Sequence, residues 1–153
     1  MKKIIVLAFL AIPFLFCSCD DTEVETMVVD TSLPHGDFMV VTSGQFMAQN
    51  GTPTAGSVEI GTDSEDEAFV RFSNNFMTEL GTGTVTVYLS TTNEDLNEVF
   101  SPENGNQNLQ LVGIVQRNGE HFFKLNSSID AKYTHVILWC ASAGIPFGNA
   151  ELM

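Results

Sequence analysis

Thr84-Val85-Thr86-Val87-Tyr88-Leu89-Ser90 decides the fold class of this chain. Side chains alternate along an extended backbone, so Val85, Val87 and Leu89 share one face of a strand and Thr84, Thr86, Tyr88 and Ser90 share the other. The first face is expected to be buried and the second wet. Residues 56–61 repeat the pattern, with Val58 and Ile60 inward and Ser57 and Glu59 outward, ahead of the acidic turn Asp63-Ser64-Glu65-Asp66-Glu67. Further strands are expected over residues 38–41, 45–48, 68–72 and 76–80. Arg117-Asn118-Gly119-Glu120 separates the runs 109–116 and 121–125, and Asn-Gly suits a two-residue type I′ turn, so a β-hairpin is expected there. Residues 134–141, Thr-His-Val-Ile-Leu-Trp-Cys-Ala, are apolar on both faces, as in an interior strand. Residues 149–153 read as a short closing strand. Only residues 94–100 show helical spacing, so helix content should be small. The pattern predicts a single all-β, antiparallel β-sandwich, with a small partly closed β-barrel as the alternative.

Outward from this domain, the amino terminus reads differently. Lys2 and Lys3 precede an apolar run over residues 4–16, broken by Pro13, and Ser18 is a small residue before Cys19. The run is shorter than the roughly 20 residues that span a bilayer, so it reads as a cleavable export signal rather than a membrane helix. Phe16-Cys17-Ser18-Cys19 resembles the lipobox of bacterial lipoproteins. The resemblance implies removal of residues 1–18 and acylation of Cys19, each buried CH2 adding about 0.8 kcal/mol to the anchor. Residues 19–36 then form an acidic tether, with Met27-Val28-Val29 as its one apolar cluster and a possible first strand, and residues 37–153 form the domain. Asp20, Asp21, Glu23 and Glu25 after the anchor resemble the acidic tag of lipoproteins displayed on an outer membrane; a solvated spacer is the other reading.

Loss of Lys2 and Lys3 leaves 4 basic residues against 19 acidic ones, a net charge of −15. Such a field repels phosphate backbones and excludes nucleic acid as a partner. With Cys17 removed and Cys19 acylated, Cys140 is the only thiol of the exported chain, and no intramolecular disulfide can form.

Motifs for catalysis are absent. No serine lies in a nucleophile elbow, no glycine-rich loop opens a helix, and the histidines His35, His121 and His135 lack the paired spacing of a zinc site. His135 and Cys140 stand an odd number of residues apart and point to opposite faces of one strand, which argues against a pair within that strand, while His121 is able to approach Cys140 from a neighbouring one. Residues 63–67 carry oxygen ligands without the spacing of a calcium loop. Neither an enzyme activity nor a bound metal or cofactor is expected.

Tyr133-Thr134-His135-Val136-Ile137-Leu138-Trp139-Cys140, followed by Ile145-Pro146-Phe147-Gly148-Asn149-Ala150-Glu151-Leu152, resembles the end of the electron transfer DM-thirteen domain family. Val87-Tyr88-Leu89-Ser90 matches that family's Val-Tyr-Leu-Ser strand, and residues 36–46 fit its opening. Two departures stand out: Thr82-Gly83-Thr84 where the family has Gly-Pro-Asp, and Ala143 where it has an aromatic. The resemblance implies a redox role beside haem-binding partners, with Cys140 as the redox-active group next to Trp139. Cysteine and tryptophan in an apolar strand also serve as core packing. Two functions therefore compete: a lipid-anchored redox domain of the cell envelope, and a surface binding or assembly module working through loops 61–67 and 91–107.

Overall fold

The computed structural model describes residues 33–100 and 108–153, so the expected export signal, most of the expected tether and its Met27-Val28-Val29 cluster lie outside the described residues. Nine strands follow in order: β1 (Met39–Gln45), β2 (Met47–Ala48), β3 (Ser57–Thr62), β4 (Ala68–Phe72), β5 (Val85–Ser90), β6 (Leu109–Ile114), β7 (His121–Lys124), β8 (His135–Cys140) and β9 (Ile145–Glu151). A single helical turn, α1 (Leu96–Val99), lies between β5 and β6. The strands form a four-stranded sheet ordered β1-β3-β4-β7 and a five-stranded sheet ordered β2-β9-β8-β5-β6, every pairing antiparallel. The architecture is the expected β-sandwich, and no barrel closes.

The core lies between the sheets. Val58, Ile60, Val70 and Phe72 project from one side and Val85, Val87, Leu89, Val136, Leu138, Cys140 and Phe147 from the other, all at most 4% exposed. These are the inward sets that the alternations in β3 and β5 mark out. Phe46, between β1 and β2, is buried where the chain passes from one sheet to the other. Gly44 permits this crossing, because a Cβ there would collide with the backbone oxygen of Glu151 on β9.

Four expectations are corrected. Residues 109–125 do not form a hairpin: β6 pairs with β5 and β7 with β4, so the turn carries the chain between sheets. Gly119 has φ +86°, but Asn118 is not in the left-handed region that a type I′ turn requires. The turn is held instead from outside, as Asn118 Oδ1 accepts the Thr78 N–H at 2.9 Å and the Gly119 N–H donates to the Phe76 carbonyl at 2.8 Å. Residues 76–80 give an isolated bridge, Met77 to Ala55, rather than a strand. The outer face of β5 is not wet, since Thr86 is 8% and Ser90 0% exposed. The closing strand, finally, is longer than expected and begins at Ile145.

Candidate functional site: the Trp139-Cys140 strand

Strand β8 sits inside the five-stranded sheet, paired with β5 on one side and β9 on the other. Successive residues of a strand point to opposite faces, so Trp139 and Cys140 divide between two environments.

Cys140 faces inward. It is 0% exposed, stands opposite Val85 and Ile145, and belongs to the core between the sheets. The residues above it explain how thin its cover is. A Cβ built on Gly83 would lie 3.4 Å from the Cys140 sulfur and 2.7 Å from the Ser142 hydroxyl oxygen, so a bare glycine backbone closes over the thiol. Thr82 and Thr84 on either side are exposed. Two bonds fasten this loop: the Ala141 N–H donates to the Thr84 carbonyl at 2.9 Å, and the Thr84 N–H to Ser142 Oγ at 3.4 Å. The cover is the Thr82-Gly83-Thr84 segment that replaces the Gly-Pro-Asp of the resembling family.

Trp139 faces outward yet is only 8% exposed. Phe100 stacks on it, with ring centroids 4.0 Å apart and planes 3° from parallel, and Tyr88 meets Phe100 edge-on at 4.8 Å. Leu96 and Ile137 complete this second cluster. Leu96 and Phe100 are four residues apart, and the one turn of α1 sets both against the sheet. This pair covers the face of β5 expected to be wet. The Thr86 hydroxyl donates to the Trp139 carbonyl at 3.0 Å beneath it. Sequence reading missed Phe100, Tyr88 and Leu96 as neighbours of Trp139; the spacing of Leu96 and Phe100 was the available signal.

The histidines do not converge on the thiol. His35 pairs with Glu65 at 3.5 Å, and His135 Nδ1 lies 2.9 Å from the Thr134 hydroxyl. His121, on the other sheet, packs edge-on against Phe72, Phe76 and Phe123. Its Nδ1 bonds the Gly119 carbonyl at 2.8 Å, and its Nε2 is buried without a partner. Burial pushes its pKa below 6.5, the bond to Gly119 opposes this, and nearby Arg117 adds to the lowering. Lys124 pairs with Glu67 at 3.4 Å and Lys132 with Asp130 at 3.5 Å. Among the described residues no group of histidine, cysteine and carboxylate side chains could hold a metal ion.

The acidic turn does carry structure. Asp63 is 2% exposed and accepts three backbone N–H groups, from His35 at 2.9 Å, Glu65 at 2.9 Å and Glu67 at 3.0 Å. The His35 N–H leads in lowering its pKa below 3.8, against the opposing effect of burial. The turn thus ties the entry of the domain to the β3–β4 connection.

Fold and site together define an antiparallel β-sandwich with a Trp-Cys pair on an interior strand. The chain belongs to the Electron transfer DM13 family, whose model matches residues 45–152. No curated protein and no solved structure matches it.

Proposed function

We propose that this chain is a lipid-anchored, non-enzymatic redox module of the cell envelope, tethered through Cys19 to the outer membrane, with Cys140 as its redox-active group. Family membership across residues 45–152 carries the reading. The geometry adds a condition. The sulfur is buried, so thiol chemistry requires an opening, for which the 82–84 segment is the candidate: Gly83 lies beside the sulfur without a side chain, and the segment is bonded to Ala141 and Ser142. A haem-bearing protein is the partner that the family resemblance implies, approaching from the Gly83 side.

The complete burial of Cys140 favours a second reading: a binding or assembly module in which the thiol only packs. Alkylation of the folded protein separates the two. Modification of Cys140 without denaturant supports the redox reading, whereas modification only on global unfolding overturns direct thiol chemistry. The anchor is tested separately by mass spectrometry of the mature amino terminus, where an unmodified Cys19 would refute it.

A further inference from the structure

Methionine is ordinarily a core residue, often fully buried and well suited to filling irregular gaps. In this domain it lies at the surface. Four of the six methionines are among the described residues, and all four are exposed: Met39 by 59%, Met47 by 56%, Met77 by 42% and Met153 by 88%. The described core is built from aliphatic and phenylalanine side chains with Trp139 and Cys140, and it contains no methionine.

Each of the four is fixed through its main chain. Met39 pairs with Thr62 in the β1–β3 ladder, and Met47 with Asn149 in the β2–β9 ladder. Met77 exchanges two backbone hydrogen bonds with Ala55, at 3.0 and 3.1 Å, and Met153 exchanges two with Ser43, at 2.9 and 3.3 Å. The thioethers are thus open to solvent while the bonds that hold these segments run through the backbone. They also stand singly. Ser43, the partner of Met153, is four residues and about 13 Å along the strand from Met39, and Met47 lies four residues further on. Sulfurs so spaced do not converge on one soft metal ion.

We propose that Met39, Met47, Met77 and Met153 are sites of reversible oxidation to methionine sulfoxide, which makes this surface a sink for hydrogen peroxide. The sulfur lone pair takes one peroxide oxygen, so that an S–O bond forms as the O–O bond breaks, and the departing hydroxide takes up a proton and leaves as water. Sulfur gives up two electrons and the peroxide gains them. A sulfoxide is polar, so it disrupts a packed core but is tolerated at a solvated position. Burial also inverts the usual order of sulfur reactivity, because the Cys140 thiol is 0% exposed. The inference is independent of the redox reading, since it uses neither Cys140 chemistry nor the anchor.

Peptide mapping by mass spectrometry of the mature chain carrying Cys19→Ser, after graded hydrogen peroxide, tests it. Sulfoxide is expected at all four positions at rates within about threefold of those in urea, while Cys140 stays fully alkylatable once the protein is denatured. Oxidation should leave the urea midpoint unchanged, and methionine sulfoxide reductases A and B with a thiol reductant should restore the original mass. A variant with all four replaced by leucine should keep its circular dichroism and consume about four fewer equivalents of peroxide. Protection of these methionines by more than about tenfold in the folded protein would overturn the proposal, as would oxidation of Cys140 ahead of them. So would a urea midpoint that falls with sulfoxide content, sulfoxides that the reductases leave in place, or a folded leucine variant that consumes as much peroxide as the parent.

Discussion

Replacing Ser142 by alanine should accelerate alkylation of Cys140 in the folded protein. The sulfur is wholly buried, so a reagent reaches it only after something opens. The smallest opening that suffices frees residues 82–84, which costs the 2.9 Å bond from Ala141 to Thr84 and the 3.4 Å bond from Thr84 to Ser142. At a net 0.5–1.5 kcal/mol for each hydrogen bond, this opening costs about 1–3 kcal/mol. Cys140 should then react about 5- to 150-fold more slowly than in denaturant. Exposure by global unfolding, at 5 kcal/mol or more, would slow it by about 5,000-fold or more, so the two routes are easily separated. The longer bond lies at the weak end of the range, and its loss in Ser142→Ala should raise the rate about 2- to 5-fold. The assay is the pseudo-first-order rate with iodoacetamide as urea is raised below the unfolding transition. Local opening exposes little surface and gives a nearly flat dependence, whereas global unfolding gives a steep one. A wild-type rate that climbs steeply with urea and ignores Ser142→Ala would refute the glycine cover as the gate.

Phe100→Ala removes the ring stacked on Trp139 and should destabilise the domain by about 2 kcal/mol, less than a full core truncation because Phe100 is half-buried. Trp139 is the only tryptophan, so a red shift of its native emission in Phe100→Ala reports directly that the cover is gone. The pKa of His121 is lowered in the fold, so as pH falls through about 6.5 the unfolded chain takes up this proton first and stability declines. Urea midpoints at pH 7.5 and 5.5 should show that decline, and His121→Gln should reduce it. Asp63 behaves in the opposite sense: its carboxylate stabilises the fold above about pH 3.8 and is lost as pH falls below that value. Asp63→Asn, with one carbonyl oxygen in place of two carboxylate oxygens for three N–H donors, should lower the midpoint at neutral pH and flatten the acid limb.

Much of the domain was legible from residue order alone. The alternations in residues 56–61 and 84–90 gave the correct inward sets, because a period of two is a local property of the extended chain. The apolar run 134–141 marked an interior strand for a similar reason, as only a strand covered on both faces needs apolar residues at successive positions. Arg117-Asn118-Gly119-Glu120 shows where this logic stops. Asn-Gly signals a reversal, but whether the two arms pair with each other depends on the bonds that Phe76 and Thr78, some forty residues away, offer the turn.

Residue pattern by itself established an antiparallel sheet protein with a lone thiol in its domain, since side-chain periodicity and cysteine number need no knowledge of distant contacts. Tertiary structure alone decided the surroundings of that thiol and its neighbour. Cys140 is sealed by the Gly83 backbone and Trp139 is covered by Phe100 because segments remote in the chain come to rest on the two faces of β8. Burial depends on what packs above a side chain, and a single strand carries no record of that.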